Sequence, residues 1–281
     1  MKILLLGNTK CHAVERLQEE FEKRGHIFET VAPFNLVFSV QAGKVLLASK
    51  EGNNLLDFDT YLFRGMGKRN NELSVIARYV KKQGKYIVEE KFAQNATYYG
   101  KFSPSMVDDG VPVIDYEIHF GDSLKRAHIE YPKIAKNLES SMGKKVRLLN
   151  NEEELADFVE KFGYPILLQK YIPIEYDFRV MVVDGEVLGV MKRYNDGDDF
   201  LTIRRGGKRE SVELPQEALD VALRATESAG LSVSGVDLLE HEGKYYRIEV
   251  NMSPQFKVFE RITGVNVAEK IVEMVERKNS K

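Results

Sequence analysis

The most informative segment of the chain runs from Gly235 to Asn251 and reads GVDLLEHEGKYYRIEVN. Gly243 lies midway between Asp237 and Glu249, so a turn centred on it predicts a hairpin in which these two carboxylates stand opposite each other. Glu249 and Asn251 are two positions apart and therefore share a face of their strand. Two carboxylates and one amide oxygen on a sheet face form a set of hard oxygen ligands, which suits Mg²⁺. A solvated polar face of an antiparallel sheet explains the same pattern, and the pattern alone leaves both interpretations open.

The composition excludes several classes of protein. The chain has 281 residues, with 41 lysines and arginines against 43 aspartates and glutamates, which gives a net charge of −2. A protein that coats nucleic acid would be far more basic, so we expect no nucleic-acid partner. The single cysteine, Cys11, cannot form an intramolecular disulfide or a thiolate zinc site by itself. Because the sequence contains no signal-like or membrane-length apolar stretch, we expect a cytoplasmic protein with no membrane partner.

The pattern of apolar residues divides the chain into three predicted units. Residues 1–92 alternate short apolar strands with helices that end at glycines, which predicts a small parallel α/β domain. Residues 93–168 combine strands with one helix that begins after Asn151. Residues 169–281 are rich in strands and contain a strong two-residue turn signal at Asp184-Gly185. The predicted fold class is therefore mixed, α/β in the first unit and α+β in the other two.

A second candidate site surrounds Lys136. This lysine ends an apolar strand immediately before a loop of small and basic residues at 139–145. Such an arrangement can present an ammonium group and backbone N–H groups to phosphates. An ordinary basic turn explains the segment as well.

Charged residues also flank the Asp184-Gly185 turn. If the turn has two residues, Asp177 stands opposite Lys192 with Arg179 on the same face, and Arg193 points to the other face. A cross-strand ion pair accounts for this placement equally well. Further along, Arg204 and Arg205 precede Gly206-Gly207 and form either an anion clamp or a solvated edge.

Taken in order, these segments resemble one known family. The region from about Asn95 to Glu276 is similar to the ATP-grasp fold, and most closely to the RimK-type glutamate ligases. Four motifs carry the resemblance: the strand lysine and loop at 136–146, the hinge and Asp-x-Arg at 169–172 and 177–179, the Gly-Val-Asp and Glu-Val-Asn-x-Ser-Pro at 235–237 and 249–254, and the Thr-Gly with its helix at 259–275. Residues before about 92, including Phe63-Arg64-Gly65, resemble the pre-ATP-grasp domain of the family.

The resemblance implies a role for each candidate residue. ATP would lie between two α+β subdomains, with Mg²⁺, or Mn²⁺ in its place, bridging the phosphates. The implied metal ligands are Asp237, Glu249 and Asn251. The residues implied at the nucleotide are Lys101, Lys136, Gln169, Lys170, Tyr171, Asp177 and Lys192. For the reacting groups we expect Arg193 with Arg179 in support, and a surface ion pair is the alternative for both.

The chain also departs from the family pattern. The phosphate loop keeps only Gly143 of the usual glycines, with Ser140 and Lys145 at the other places. Residues 200–203 read Phe-Leu-Thr-Ile and lack the arginine and asparagine of the family. Lys170 stands where the family often has glutamate. Magnesium binding stays an expectation, whereas the substrates and the turnover rate are open.

The implied activity is that of an ATP- and Mg²⁺-dependent carboxylate–amine ligase. A carboxylate would attack the γ-phosphate to give an acyl phosphate, and an amine would then displace phosphate to leave an amide. We expect the enzyme to join glutamate or another amino acid to an acceptor, which is a small molecule, a peptide or a protein. The sequence does not show which substrate is the acid, and a homo-oligomer is one of the assemblies that the resemblance allows. Two alternatives are a nucleotide-binding protein that has lost ligation and an enzyme that transfers phosphate. Release of ADP and phosphate, and the identity of the product, would distinguish the three.

Overall fold

The strands are organised in three large sheets and one separate hairpin. The computed structural model describes residues 1–89, 100–101, 105–138, 145–195 and 207–279. Within these ranges there are sheets of four, four and five strands, and a two-stranded hairpin. Among the same residues, no helix has both the length and the apolar character that crossing a membrane requires.

The first sheet is parallel, as the sequence predicts. Its strands, in spatial order, are β2 (Ile27–Val31), β1 (Lys2–Gly7), β5 (Thr60–Arg64) and β6 (Tyr86–Ile87). Helix α1 (His12–Lys23) packs against one face, and helix α2 (Asn70–Lys82) packs against the other. Each helix buries one apolar stripe, because its apolar residues recur at the helical period. The sequence did not predict the hairpin of β3 (Leu36–Gln41) and β4 (Lys44–Ser49) that follows β2.

The second sheet is antiparallel throughout. Its strands, in spatial order, are β7 (Tyr116–His119), β10 (Ile166–Lys170), β8 (Lys133–Asn137) and β9 (Val146–Leu149). A short helix α3 (Ser105–Asp108) precedes it, and helix α4 (Glu152–Phe162) covers it. The Asn151 side chain accepts a hydrogen bond of 2.9 Å from the Glu154 backbone N–H, which confirms the predicted helix start.

The third sheet is also antiparallel and has five strands. In spatial order they are β13 (Arg209–Val212), β12 (Glu186–Tyr194), β11 (Tyr176–Val183), β14 (Val233–His241) and β15 (Lys244–Asn251). Helix α5 (Gln216–Ala229) packs on one face of the sheet, whereas α6 (Lys257–Thr263) and α7 (Val267–Asn279) pack on the other. On the face that α6 and α7 cover, the buried residues of β11 are Met181 and Val183 beside the Asp184-Gly185 turn, and the polar residues lie toward the start of the strand.

A bulge changes the register of the first hairpin in this sheet. The chain turns at Asp184-Gly185, as predicted. Leu188 is then an extra residue in β12, and it shifts the pairing of every residue beyond it. Asp177 consequently stands opposite Arg193, and its predicted pairing with Lys192 is wrong.

A second bulge lies in the hairpin of β14 and β15. The turn is formed by Glu242 and Gly243 alone, one residue shorter than the predicted turn. Ile248 is an extra residue in β15, and it compensates for the shorter turn. Asp237 therefore stands opposite Glu249, which confirms the predicted pairing.

One hydrophobic core joins the first and third sheets. Leu5 and Phe21 from the first sheet and its helix belong to the same buried cluster as Met181 and Ile271. The second sheet has a separate buried cluster formed by its own strands and helix α4. We keep the boundaries near residues 92 and 168 as a proposal; the second of them falls within β10 (Ile166–Lys170), so the last two residues of that strand lie beyond it.

Candidate nucleotide and metal site

Charged side chains form a row across one face of the third sheet. Asp177 and Arg179 share this face of β11, because side chains alternate along a strand. The register places Arg193 beside Asp177 and Asp237 beside Arg179. Glu249 continues the row opposite Asp237. The expectation that the two arginines point to opposite faces is therefore wrong, and the bulge in β12 is the reason.

Within this row the two arginines bind the two aspartates. Arg193 Nε and Nη2 lie 2.6 and 2.5 Å from the two Asp177 carboxylate oxygens, and Nη2 lies 3.0 Å from Asp237 Oδ1. Arg179 donates from Nε and Nη2 to the two oxygens of Asp237, and the Nη2 bond is 2.9 Å long. All four side chains are largely buried. Two positive and two negative charges cancel, so this part of the row is neutral.

The aspartates differ in how their surroundings affect ionisation. Burial, together with the charge of Asp237, raises the pKa of Asp177 in spite of its bonds to Arg193. Burial acts in the same direction on Asp237, but Arg179 and Arg193 outweigh it and lower the pKa of Asp237. Asp237 is therefore the firmly ionised member of the pair.

Lys136 approaches the row from the second sheet. Its Nζ donates a hydrogen bond of 2.6 Å to Gln169 Oε1 on the neighbouring strand, and only 9% of Lys136 is exposed. Burial lowers the pKa of Lys136 to about 8, against the attraction of Glu249, and Lys101 lowers it further. An ammonium group held so far from water gains strongly from an anionic ligand.

Gly100 and Lys101 lie against the edge strand β15. The Val250 backbone N–H donates to the Gly100 carbonyl oxygen at 2.9 Å. A Cβ atom on Gly100 would lie 2.3 Å from the Val250 carbonyl oxygen, so only glycine fits there. The buried Arg247 donates to the carbonyl oxygens of both Gly100 and Lys101 at 3.2 Å. Burial lowers the pKa of Lys101, and Glu249 acts to raise it.

Glu249, Asp237 and Asn251 have the chemistry of a magnesium site. Burial and the charge of Asp237 raise the pKa of Glu249, although Lys101 is among the cations that oppose the shift. A divalent cation would stabilise the ionised form of this carboxylate. Asn251 donates from Nδ2 to the Gly235 carbonyl oxygen at 3.2 Å. The Oδ1 atom of the same amide is then the acceptor that a metal ion could use.

The number of oxygen ligands also fits magnesium. Among the described residues, no group of three or more His, Cys, Asp or Glu side chains is suited to a metal. A metal held here would therefore take two carboxylates and one amide from the protein. Mg²⁺ commonly completes its octahedron with water and phosphate oxygens, so three protein ligands suffice. The residues fit the ion, and their role as ligands stays a prediction.

The remaining predicted site residues lie in several places. Lys170 is exposed, and its backbone N–H donates to the Asp115 carbonyl oxygen at 2.9 Å. The half-buried Tyr171 follows it directly. Lys192 lies on the opposite face from Asp177, with its Nζ 3.6 Å from the centroid of the Tyr176 ring. The predicted site segments outside the described residues are the phosphate loop with Ser140 and Gly143, the stretch 200–203, and Arg204, Arg205 and Gly206.

Gly100 and Arg247 were not predicted from the sequence. Gly100 is separated from its β15 partner by about half of the chain, so no local spacing connects the two. Arg247 offers a weak signal in the sequence, because it occupies an inward position of its strand and the residues next to it are aromatic and apolar. A buried arginine of this kind is normally paired or hydrogen-bonded.

Solved structures with this architecture are ATP-grasp enzymes. The ATP-grasp ligase PsnB, complexed with a phosphomimetic variant of minimal precursor, Mg and ADP, superposes with a TM-score of 0.75 at 20% identity over 99% of this chain and 98% of its own. D-alanine–D-alanine ligase from Bacillus anthracis, complexed with ATP, gives a TM-score of 0.69 at 15% identity, with 100% and 97% of the chains covered. The chain therefore has the ATP-grasp fold, as the sequence predicts.

The family is defined more closely by the sequence. The model of the RimK-like ATP-grasp domain matches residues 111–275, which is more than half of the chain. The chain belongs to the RimK-like ATP-grasp family. Among its relatives, a protein of Haemophilus influenzae (strain 86-028NP) named "Probable alpha-L-glutamate ligase" is 27% identical, with 98% of this chain and 97% of the relative aligned. A protein of Legionella pneumophila (strain Corby) with the same name is also 27% identical, over 99% and 96%.

Proposed function

We propose that this chain is an ATP- and Mg²⁺-dependent carboxylate–amine ligase that joins glutamate to an acceptor. One observation carries the proposal: a Cβ atom on Gly100 would lie 3.4 Å from Glu249 Cγ, so the segment with Lys101 packs at the acidic end of the row, and the charges of Lys101 and the buried Lys136 both act on the Glu249 carboxylate. A cluster that combines buried cations with carboxylates suits a polyphosphate and its metal. The names of the relatives support glutamate as one of the two substrates.

In this proposal the second and third sheets hold the nucleotide between them. Lys136 contacts the phosphates, because its ammonium group is buried and, among the residues that the structure describes, carries one hydrogen bond, to a neutral amide. Gln169 fixes the position of that ammonium group. Lys170 and Tyr171 line the adenine where β10 ends, and Asp177 faces the ribose. Asp237, Glu249 and Asn251 hold Mg²⁺, which neutralises phosphate charge when bound.

The reaction needs positioned charge more than a reactive side chain. An oxygen of the substrate carboxylate attacks the γ-phosphorus, the bond from that phosphorus to the bridging oxygen breaks, and ADP leaves with the electron pair. The amine then attacks the acyl carbon, phosphate departs with the oxygen it received, and the nitrogen loses a proton to leave an amide. Two anions must approach each other in the first step, so fixed cations beside them lower the barrier.

Arg179 and Arg193 supply fixed cations in this proposal. Each guanidinium group is on a strand and is held by two hydrogen bonds to one aspartate. Their orientation is therefore set before the substrate arrives, which avoids reorganisation during the reaction. Arg193 contacts both aspartates, so we keep it as the principal cation for the reacting groups, with Arg179 in support.

The test follows oxygen from the acid to phosphate. The protein is incubated with ATP, Mg²⁺ and pairs of substrates drawn from a panel of amines and a panel of acids labelled with ¹⁸O in their carboxylates, with glutamate in both panels. The products are analysed by mass spectrometry. An acyl phosphate predicts one ¹⁸O atom in each phosphate released and an amide as the second product. A stable phosphoester would instead show phosphate transfer. ATP binding without ADP formation for any acid and amine would show a nucleotide-binding protein.

A control variant keeps the nucleotide site and removes the proposed metal ligand. Glu249→Gln preserves the size and hydrogen-bonding capacity of the side chain but removes its charge. We expect ADP formation to fall at least about a hundredfold, because two protein ligands of the metal would then be neutral. Activity within about twofold of the wild type would contradict the assignment of Glu249.

A further inference from the structure

A cavity lies at the carboxyl ends of the strands in the first sheet. It has a volume of about 440 Å³ and is lined by residues that follow β1, β2 and β5. The chain leaves β1 toward β2 on one side, and the next parallel strand, β5, lies on the other side. In open parallel sheets, the crevice between two such diverging connections is where ligands bind. The volume is in the range of sites for small molecules.

The floor of this cavity is a close backbone contact. The Asn8 N–H donates to the Arg64 carbonyl oxygen at 3.0 Å, and Asn8 Oδ1 accepts from the Lys10 N–H at 3.1 Å. A Cβ atom on Gly7 would lie 1.7 Å from that same Arg64 oxygen, so the approach requires glycine. The loops after β1 and β5 are therefore locked together beneath the cavity.

Its walls combine apolar and basic side chains. Phe34 is 85% exposed although it is a large aromatic residue, whereas Met66 is buried. Lys10 and Arg69 provide two cations, and Arg69 Nη1 contacts Glu72 at 2.8 Å on its own helical turn. Among the described residues that line the cavity, none is acidic. A ligand with a carboxylate and an apolar part matches this lining.

The cavity adjoins the strand that carries the proposed metal ligands. The Gly65 N–H donates to Ser253 Oγ at 3.3 Å, and Arg64 Nη2 donates to the Pro254 carbonyl oxygen at 3.0 Å. Ser253 follows Asn251 by two residues, so their Cα atoms are at most about 7 Å apart. The cavity is therefore beside the proposed phosphoryl site but outside the row of charged residues.

We infer that this cavity binds the amine substrate of the proposed ligase by a carboxylate that the amine itself carries. The inference rests on the proposed function, because the carboxylate that is activated must lie at the row, against the metal and the γ-phosphate. The neighbouring cavity is then the place for the second substrate. Lys10 and Arg69 bind its carboxylate, and its amine points past Ser253 to the acyl phosphate. A free amino acid and the carboxyl end of a peptide both supply this chemistry.

Paired amines test the inference by direct binding. Each pair contains the same amine with a free carboxylate or with a carboxamide, and the panel includes amino acids and short peptides as separate arms. Binding is measured by saturation-transfer NMR with a non-hydrolysable ATP analogue and Mg²⁺ present. We expect at least one free acid to bind at least about ten times more tightly than its amide. In the variant with Lys10→Ala and Arg69→Ala, this preference should disappear, whereas Lys82→Ala at the far end of α2 should keep it.

Three results would overturn the inference. In the first, no member of the panel binds. In the second, the free acid and the carboxamide of each pair bind equally. In the third, the preference for the acid persists in the double variant, because the ligand binds at the charged row. Binding of the ATP analogue is measured in the same samples. If the wild type binds the analogue and a free acid but forms no ADP with any pair, the proposed function fails while the cavity is still shown to bind carboxylates.

Discussion

Replacing Lys136 by methionine should stabilise the protein and at the same time weaken nucleotide binding. Methionine has a similar length and fills the space of the lysine stem, but it brings no charge into a buried position. The wild-type ammonium group has one hydrogen-bond partner, Gln169, in the described structure, and it lies among buried groups. The substitution therefore removes a charge that the fold holds for its ligand.

The magnitude follows from the pKa of Lys136. Burial lowers this pKa from 10.5 to about 8, and each unit corresponds to about 1.4 kcal/mol, so the charged group destabilises the folded state by about 3 kcal/mol at pH 7. The variant leaves the buried Gln169 oxygen without its donor, which costs about 1–2 kcal/mol. The expected net stabilisation is about 1–2 kcal/mol, which is about 2–5 °C in Tm for a chain of this size.

The dependence on pH has a definite sign. Below pH 8 both the folded and the unfolded wild type carry the proton, and the full destabilisation is present. Between pH 8 and 10.5 the folded state releases its proton first, so the stability of the wild type rises with pH. The advantage of Lys136→Met should therefore narrow across this interval.

Chemical denaturation from pH 7 to 10 measures the stability of both proteins, and calorimetry measures their affinity for ATP. Lys133→Met is the matched control, since Lys133 is on the same strand with its side chain on the other face. We expect the affinity for ATP to fall at least about tenfold in Lys136→Met and to stay unchanged in the control. A variant that is less stable than the wild type at pH 7, or that binds ATP as tightly, would refute the reasoning.

Three further substitutions test other parts of the structure. Gly100→Ala places a Cβ atom 2.3 Å from a β15 carbonyl oxygen and should lower ATP affinity by at least about tenfold, as measured by calorimetry. Burial raises the pKa of Glu89 from 4.5 to about 7, so the folded state binds a proton more tightly than the unfolded state. The free energy of unfolding, measured in urea, should therefore fall by up to about 3 kcal/mol as the pH rises through this range, and Glu89→Gln should abolish this dependence. Asp177→Asn removes the carboxylate that binds the buried Arg193 by two hydrogen bonds and leaves Asp237 as its anionic partner. This should destabilise the fold by about 3 kcal/mol in urea unfolding and abolish most ADP formation.

Each of these three predictions has its own contradicting result. Gly121→Ala is the control for Gly100→Ala, because no atom lies within 4 Å of its added Cβ, and equal effects of the two would remove the steric argument. A pH profile in Glu89→Gln that matches the wild type would assign the dependence to another group. Wild-type stability in Asp177→Asn would show that Arg193 finds enough solvent or other partners without this carboxylate.

The sequence predicted the pairing of Asp237 with Glu249 for a reason that is only partly correct. The spacing around Gly243 correctly placed the two carboxylates opposite each other. However, the turn is shorter than predicted, and the extra residue Ile248 restores the register. The turn has one residue fewer than predicted and the bulge adds one residue, so the two errors in register cancel.

No such cancellation occurs in the first hairpin. The turn at Asp184-Gly185 was correct, yet every face assignment beyond Leu188 was inverted, so Lys192 was placed where Arg193 lies. Gly189, next to the bulge, was the available signal, because glycine inside a strand often marks a bulge or a close approach. The contact of Gly100 with β15 had no signal of this kind, since it depends on tertiary packing between distant segments.

The separate core of the second sheet makes this part of the molecule a candidate for rigid-body motion. The first and third sheets share packed side chains, so sliding one over the other would open voids in a dense interior. The buried cluster around Phe158, in contrast, draws only on the second sheet and the segments that cover it. A hinge rotation in the connections at 112–115 and 171–175 would carry Lys136 toward or away from Glu249 while leaving the cavity at Gly65 in place. Opening and closing would thus change access to the nucleotide without disturbing the substrate beside it.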